Sequence, residues 1–313
     1  MPYYITIDIG GTHLRAALFK SSATCPEKHQ RVRTHTLDGQ SVFERLAQQV
    51  EAIWPSGGDV AAIAVASPGP LDPMTGVIFA TPNIPEWVDF PLGESLSRRF
   101  GVPVFVENDA NLAGLGEWKY GAGRGHHHVL YLTVSTGIGG GVIINDRLLQ
   151  GAYGLAAELG HVVVSPEGPV CSCGKPGHLE AFAAGPGIVR YVRERLESGV
   201  QSVLQADANL SAQDVAEAAK NGDPLGLEAM ARAGGYLGIG LANFLHIFNP
   251  SIVIFGGGVS QSGDCLFGPM QRSLRERVFR RNYLDNLTIT MAELGDDAGL
   301  MGALAWASIN YPV

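Results

Sequence analysis

The chain has 313 residues, a formal net charge of −8 at pH 7 and a hydrophobic fraction of 46%. This length suffices for two domains that each bury a core, and the acidic balance argues against a broad nucleic-acid surface. No apolar run reaches the ~18 residues that a membrane span needs, and the start MPYYITIDIGG lacks the pattern of a secretory signal. We therefore expect a cytoplasmic protein that binds neither nucleic acid nor membrane.

Eight segments predict strands, because apolar and polar residues alternate or form short runs rich in β-branched residues. In chain order they are YYITIDI, HLRAALF, AAIAVAS, PVFVEND, VLYLTVS, GGVIIN, SIVIFGG and LTITMAE. Helical spacing marks FERLAQQVEAIW, SAQDVAEAA with its capping pattern, and the long apolar LGLEAMARAGGYLGIGLANFLHIF. Strands and helices mixed in this way predict an α/β architecture.

One unit of strand, glycine-rich turn and strand occurs twice. It is first seen in YYITIDIGGTHLRAALFK and again, about 125 residues later, in VLYLTVSTGIGGGVIINDRLL. Two such copies predict two related lobes. In both turns, small residues allow backbone N–H groups to face a phosphate. Each turn alone can equally be a plain glycine-rich hairpin, but their joint occurrence favours phosphate binding.

Carboxylates follow two of the predicted strands. Asp8 precedes the glycines of the first turn, and a carboxylate beside a phosphate loop implies a cation such as Mg²⁺. Glu107, Asn108 and Asp109 end the strand PVFVEND, at the sheet edge where open α/β folds bind ligands. An amide and a carboxylate there suit a polyol, whose hydroxyl proton the carboxylate can accept. The alternative is a strand-end turn capped by Asn or Asp.

The segment HVVVSPEGPVCSCGKPGHLE contains a candidate metal site. Its His161, Cys171, Cys173 and His178 supply two thiolates and two imidazoles, a complete tetrahedral set for zinc. Four protein ligands leave no open position, so the zinc would be structural. The alternative is a pair of reduced cysteines near two ordinary histidines. The flanking glycines favour a tight loop held by the metal.

Nine segments, in order along essentially the whole chain, resemble the ROK family of sugar kinases and repressors. They are DIGGT at 8–12, SPGP at 67–70, NIPEW at 83–87, ENDAN at 107–111, STGIGGG at 135–141, AAELGH at 156–161, CSCGKPGHLE at 171–180, FNPSIVIFGGG at 248–258 and DAGLMGAL at 297–304. The resemblance implies an α/β protein with the actin-like (ribonuclease H-like) ATPase fold, two lobes and an interdomain cleft. We expect residues 1–109 plus 297–313 to form a smaller lobe and residues 110–296 a larger lobe that carries the zinc loop.

The resemblance also implies roles for individual residues. Asp109 resembles the catalytic base. The residues that would hold sugar hydroxyls are Asn83, Asn108, Asp109, Glu158, His161 and Glu180. Those that would bind ATP with Mg²⁺ are Asp8, Gly10, Gly11, Thr12, Thr136, Gly137, Gly256, Gly257 and Gly258. The zinc ligands would be His161, Cys171 and Cys173, with His178 at the position where the family usually has a cysteine.

The function implied by the resemblance is that of an ATP-dependent hexose kinase, preferably a glucokinase acting on the 6-hydroxyl of glucose, in a homodimer or homotetramer. N-acetylmannosamine, N-acetylglucosamine, allose and fructose are alternative substrates that the sequence does not separate. A different class is a sugar-sensing transcriptional repressor of the same family. Only seven residues precede Asp8, which leaves no room there for a DNA-reading helix, so the kinase is favoured.

Overall fold

The computed structural model describes residues 2–36, 39–81 and 83–313. The strands are β1 (Tyr3–Ile9), β2 (His13–Lys20), β3 (Lys28–Arg33), β4 (Val60–Ser67), β5 (Leu71–Asp72), β6 (Val77–Ala80), β7 (Val88–Phe90), β8 (Val104–Asn108), β9 (His128–Val134), β10 (Ile138–Ile144), β11 (Arg147–Leu148), β12 (Ile252–Gly256) and β13 (Thr288–Met291). The α-helices are α1 (Val42–Ile53), α2 (Leu92–Phe100), α3 (Asp109–Tyr120), α4 (Leu179–Ala183), α5 (Gly185–Glu197), α6 (Ala212–Lys220), α7 (Pro224–Phe248), α8 (Asp264–Arg277), α9 (Asn282–Asp285) and α10 (Ala298–Asn310). All eight predicted strands and all three predicted helices are present. In the described part of the chain, no helix is both long and apolar enough to cross a membrane.

The chain forms two compact units. The first comprises Met1–His126, Gly141–Ala157 and Ala292–Val313, and the second comprises His127–Gly140 and Glu158–Met291. This division does not follow the expected boundary at residue 109, since α3 and the segment after Gly141 belong to the first unit. That unit is therefore not the smaller of the two.

The close packing of α3 on α10 explains why α3 belongs to the first unit. A Cβ added at Gly116 of α3 would lie 2.8 Å from the backbone nitrogen of Gly302 on α10. Glycine at both positions lets the two helix backbones approach closely. The C-terminal helix α10 thus lies in the same unit as the first strands of the chain.

The first unit is built on a five-stranded sheet of order β3-β2-β1-β4-β8. Strands β1, β2 and β3 pair antiparallel, whereas β4 and β8 join β1 in parallel. Alternate side chains of β1 enter two cores: Ile5 and Ile7 lie in the one that includes α1, and Tyr4 lies in the one that includes α3 and α10. Both faces of β1 are therefore covered, as is usual for strands in the parallel part of a mixed sheet.

The second five-stranded sheet has the order β11-β10-β9-β12-β13. Strands β9, β12 and β13 pair in parallel, and β10 pairs antiparallel with β11. In both sheets, the strand that comes first in the chain is central. The second and third strands lie in turn on one side of it, and the fourth and fifth lie in turn on the other. The sequence repeat that predicted two related lobes thus corresponds to a repeated strand order.

Candidate functional site

The first glycine-rich turn connects β1 to β2 in the first unit. The N–H of Gly10 donates to the carbonyl of His13 at 2.9 Å, and the hydroxyl of Thr34 donates to the carbonyl of Gly10 at 2.6 Å. A Cβ added at Gly11 would lie 2.8 Å from the side-chain Cγ of Asn83. Glycine at position 11 therefore lets the candidate sugar-binding Asn83 lie directly against this turn.

Asp8 is buried beside the same turn and paired with an arginine. Its Oδ2 lies 2.6 Å from an Arg15 guanidinium nitrogen on the neighbouring strand β2. Burial raises the pKa of the Asp8 carboxyl, and the Arg15 charge opposes that shift. The carboxylate chemistry suits Mg²⁺, but the cation that contacts Asp8 in this structure is Arg15. Asp8 therefore fits a direct magnesium ligand only in part.

Asn108 and Asp109 form the junction between β8 and α3. The side-chain oxygen of Asn108 accepts from the N–H groups of Ala110 and Asn111 at 3.0 and 3.1 Å, so Asn108 is the N-cap of α3. Asp109 is the first residue of the helix, not the last of the strand, and its Oδ1 accepts from the Ala110 N–H at 2.8 Å. The positive end of the helix dipole there favours an ionised carboxylate.

The second glycine-rich turn connects β9 to β10, and Thr136 and Gly137 lie within it. The N–H of Ser135 donates to the carbonyl of Gly137 at 2.9 Å. The N–H of Ile138 donates to the Oε2 of Glu180 at 3.0 Å, and a Cβ added at Gly137 would lie 2.8 Å from that same oxygen. The candidate sugar-binding Glu180 is therefore attached to the candidate phosphate turn.

A cavity of about 1060 Å³ in the second unit includes Thr136 and Gly258 in its wall. Of the three consecutive glycines, only Gly258 lines it: a Cβ at Gly256 would meet the Tyr131 hydroxyl, and one at Gly257 would meet the Val134 carbonyl. One side of α5 and one side of α6, each from its first residue to its last, also line the cavity. A cavity of this size is typical of small-molecule sites.

Sequence reasoning missed the contribution of α5 and α6 to this cavity. The charged residues that they add to its wall are Arg190, Arg193, Glu194, Glu197, Glu217 and Lys220. The Gly-Pro-Gly that opens α5 is a helix-start signal that was available in the sequence. Nothing in the sequence placed that helix start beside Ser135, whose carbonyl accepts from the Gly185 N–H at 2.8 Å.

The four candidate zinc ligands, His161, Cys171, Cys173 and His178, lie together in the second unit. One ligand atom from each lies within 4.8 Å of all the others. The Sγ of Cys171 is 3.7 Å from His161 Nδ1, and the Sγ of Cys173 is 3.2 Å from His178 Nδ1. Ligand atoms on a tetrahedral zinc are roughly 3–4 Å apart, given the usual Zn–S and Zn–N lengths. The donor set and its spacing therefore fit zinc.

Desolvation shifts the pKa values of two of the four candidate ligands, Cys171 and His178. Burial raises the pKa of the Cys171 thiol to about 11, so zinc would have to displace its proton on binding. Desolvation lowers the pKa of the His178 imidazole, and the ring of His161 adds to that effect. Neutral imidazole is the form that binds a metal. His178 is therefore chemically suited to the ligand position that the family resemblance assigns to a cysteine.

The two ring nitrogens of His161 face different neighbours. Its Nδ1 points towards Cys171, and its Nε2 is 3.9 Å from the Oε2 of Glu158. Nδ1 of His161 can thus bind the metal while Nε2 faces Glu158. Binding of the metal to Nδ1 would fix the tautomer and the orientation of the ring.

Glu180, at the start of α4, connects the cysteine loop to the second turn. Its Oε1 accepts from the Ser172 hydroxyl at 2.7 Å and from the Cys171 thiol at 3.1 Å. Burial acts to raise the pKa of Glu180, but its hydrogen bonds outweigh that effect and hold the pKa below its ordinary value. Glu180 is therefore an ionised carboxylate with a fixed orientation. Ser172 was not predicted, since an exposed serine between two cysteines has no distinguishing signal.

The structure thus distributes the predicted site residues over both units. Those in the first unit are Asp8, Gly10, Gly11, Thr12, Asn83, Asn108 and Asp109. Those in the second unit are Thr136, Gly137, Glu158, His161, Cys171, Cys173, His178, Glu180, Gly256, Gly257 and Gly258.

Comparison with known proteins agrees with this architecture. The family model of the ROK family matches residues 4–309. The chain is 37% identical to the glucokinase of Thermotoga maritima over 96% of this chain and 95% of that protein. It is 32% identical to a putative xylose repressor of Caldicellulosiruptor sp. over 85% of this chain and 67% of that protein.

Two solved structures are similar along nearly the full length. The ROK hexokinase of Thermus thermophilus is 35% identical with a TM-score of 0.83, over 98% of this chain and 99% of that chain. A ROK family glucokinase of Streptomyces griseus, in complex with glucose and AMPPNP, is 34% identical with a TM-score of 0.78, over 97% of this chain and 98% of that chain.

These similarities confirm the predicted fold class: the protein is an α/β protein with the actin-like (ribonuclease H-like) ATPase fold. The chain belongs to the ROK family.

Proposed function

We propose that this protein is an ATP-dependent hexose kinase that transfers the γ-phosphoryl group to the 6-hydroxyl of glucose. The observation that carries the proposal is the pair Asn108–Asp109 at the N-terminus of α3, in a chain whose relatives of 34–37% identity are named glucokinases. Asp109 is a carboxylate at the first position of α3, and a positioned carboxylate is what a general base for a sugar hydroxyl requires.

In the proposed reaction, Asp109 accepts the hydroxyl proton as the oxygen attacks phosphorus in line. Asn83, Asn108, Glu158, His161 and Glu180 hold the other hydroxyls and thus set the direction of attack. The fixed orientation of Glu180 supports this role, because its hydrogen bonds leave it little freedom. A positioned base contributes about 10²–10⁴-fold to a rate of this kind.

The nucleotide would bind in the cavity of the second unit, where Thr136 and Gly258 line the wall. The absence of a side chain at Gly258, with no atom within 4 Å of an added Cβ, leaves room for a flat base. Backbone N–H groups of the glycine-rich turns other than those of Gly10, Ser135 and Ile138, which donate within the protein, would hold phosphate oxygens. Mg²⁺, when bound, would neutralise charge on the transferring phosphates. Because Asp8 is paired with Arg15, we infer that Asp8 acts on the ion mainly through water.

Zinc would be held by His161, Cys171, Cys173 and His178 in a closed tetrahedral site. Such a metal, when bound, supplies structural stabilisation and no chemistry. The loop that it closes also carries Ser172, which holds Glu180. We propose that the metal site serves the sugar side of the reaction by fixing His161 and Glu180.

The proposal is tested by offering the protein ATP with glucose, N-acetylmannosamine, N-acetylglucosamine, allose and fructose, and measuring kcat/KM from the release of ADP. We expect glucose to give the highest value. A higher value for another hexose would retain the kinase and replace the substrate. No turnover with any of these sugars would contradict the proposal. Gel filtration would test our expectation of a homodimer or homotetramer.

A second candidate is a sugar-responsive repressor, which the putative xylose repressor relative favours at lower identity. A repressor needs sugar binding but no phosphoryl transfer. A kinase would release ADP from ATP in the presence of glucose. A repressor would not, but would bind DNA of operator length with sequence specificity.

A further inference from the structure

The proposed mechanism does not use Glu107, a carboxylate that is fully buried at the end of β8. Its exposed fraction is 0%, in the strand residue that directly precedes Asn108 and Asp109. Burial of an acidic group is costly unless its oxygens are hydrogen-bonded. Burial raises the pKa of Glu107, and three hydrogen bonds oppose that shift. Because burial of the Glu107 carboxyl is unfavourable, we expect the contacts of this side chain to have a function.

Two of these hydrogen bonds tie Glu107 to the residues on either side of Asp109, and the third ties it to Gln150. Its Oε1 accepts from the Asn108 N–H at 2.9 Å and from the Asn111 side-chain amide at 3.0 Å. Its Oε2 accepts from the side-chain amide of Gln150 at 2.6 Å. Glu107 therefore holds the cap residue and the first turn of α3, between which Asp109 lies.

Gln150 brings a distant segment into this network. It follows β11, in the part of the first unit that begins at Gly141. A Cβ added at Gly141 would lie 2.9 Å from the carbonyl of Ala110, so the backbone of β10 runs directly along the first turn of α3. Two parts of the first unit thus contact the start of α3. Glu107 hydrogen-bonds to it from the end of β8, and the backbone at Gly141 packs against its first turn.

We propose that Glu107 is a positioning residue, which with Gln150 fixes the start of α3 so that Asp109 is aimed at the reacting hydroxyl. This inference rests on the proposed kinase function and deepens it. The role depends on hydrogen-bond acceptors at position 107, because both donors on its Oε1 side belong to the junction itself. A shift of about 1 Å in a reacting group can reduce a rate on the order of 10²-fold.

Replacement by leucine and by glutamine separates this role from simple packing. Glu107→Leu keeps the approximate volume but removes every acceptor. We expect kcat to fall on the order of 10²-fold, with a sugar KM within about threefold of the wild type, because a misaimed base acts in the transition state. Glu107→Gln retains an acceptor for Asn108 and Asn111, and Gln150 can rotate its amide to accept from the new NH₂. It should keep kcat within about fivefold.

Glu117 is the matched control, because it is a second fully buried glutamate and lies on α3, the helix whose start Glu107 holds. Near the C-terminal end of α3, it accepts from the backbone N–H groups of Ala122, just after the helix, and of Glu293 and Leu294, which precede α10. Glu117→Leu should lower the melting temperature while leaving kcat per folded molecule unchanged. The folded fraction of each variant is measured by circular dichroism at the assay temperature.

If Glu107→Leu does not fold, Gln150→Leu provides the test instead. It removes only the amide that donates to Glu107 Oε2, and Gln150 is half-buried, so the protein should still fold. We expect this substitution to lower kcat by about tenfold, the effect of about 1.4 kcal/mol. Wild-type kcat in a folded Glu107→Leu or Gln150→Leu protein would overturn the inference. So would an equal loss in Glu107→Gln, or an equal loss per folded molecule in Glu117→Leu. A wild-type protein that phosphorylates no sugar would instead contradict the proposed function.

Discussion

Asp109 lies on the first turn of α3, where its Oδ1 accepts from the Ala110 N–H. Asp109→Asn is nearly isosteric and keeps an oxygen for this bond, but it cannot accept a proton at neutral pH. We therefore expect kcat to fall by about 10²–10⁴-fold, while the dissociation constant for glucose changes little. Steady-state kinetics and calorimetry on the same preparation would measure the two quantities. Near-normal turnover would remove Asp109 as the base and make Glu158 or Glu180 the next candidate.

At the level of single residues, the sequence predicted chemical types better than partners. The carboxylates and glycines of the turns were identified because they follow strand patterns. The pairing of Asp8 with Arg15 was missed, since it depends on the antiparallel register of β1 and β2. The contact of Glu107 with Gln150 was missed for a similar reason: 43 positions separate the two residues, and no local pattern relates them.

Among the structural elements, the loop from His161 to His178 carries the metal prediction. Purified protein should contain about one zinc per chain, and chelation or Cys173→Ser should weaken glucose binding more than nucleotide binding. The reason is that His161 and the Glu180-binding Ser172 both belong to this loop. Metal analysis and calorimetry with each ligand test this. Full activity in protein shown to lack zinc would contradict it, and zinc retained in His178→Ala would assign the fourth position to another donor.

The hydroxyl of Ser172 gives the same loop a second test. Ser172→Ala removes the 2.7 Å hydrogen bond to Glu180 Oε1 and leaves the Ile138 N–H on Oε2. An exposed hydrogen bond to a charged group contributes roughly 1.5 kcal/mol or less. We therefore expect loss of the Ser172 bond to raise the glucose KM by about three- to tenfold. Ser198→Ala is the control, because its exposed hydroxyl donates only to the Arg195 carbonyl. Equal KM values in both variants would show that Ser172 does not orient Glu180.

The elements that sequence reasoning found are those with a clear apolar period. The helix α6 begins at the predicted cap, where Ser211 and Asp214 form a reciprocal capping box. Strand β3, with the sequence KHQRVR, was not predicted because it is an exposed edge strand with almost no apolar residues. Helix α3 was not predicted as a helix because its small and polar residues, DANLAGLGEWKY, show almost no amphipathic period.

For the whole molecule, the repeat of a strand-turn-strand unit correctly implied two related sheets, but it did not give their boundary in sequence. That boundary depends on which helix packs on which, and α3 was assigned to the wrong unit because its contact with α10 joins residues far apart in the chain. The first unit is completed only by the last helix. On that helix, Ala303 and Leu304 are buried in the core that includes Tyr4 of β1.

This contact between α3 and α10 predicts that Gly302 is essential to stability. A Cβ at Gly302 would lie 1.8 Å from the carbonyl oxygen of Leu112, and that oxygen belongs to the backbone and cannot move aside without shifting α3. We expect Gly302→Ala to destabilise the protein by about 3 kcal/mol, at the upper end of the usual cost of overpacking.

Gly235→Ala is the matched control for Gly302→Ala, because Gly235 lies within α7 and no atom lies within 4 Å of its added Cβ. That substitution should be neutral or stabilise by up to about 1 kcal/mol, since alanine favours the helix. Urea unfolding of the two variants and the wild type measures the difference. Because α3 also carries Asp109, partly folded Gly302→Ala should lose turnover along with stability. Equal stability of both variants would mean that the two helix backbones are not in close contact in solution.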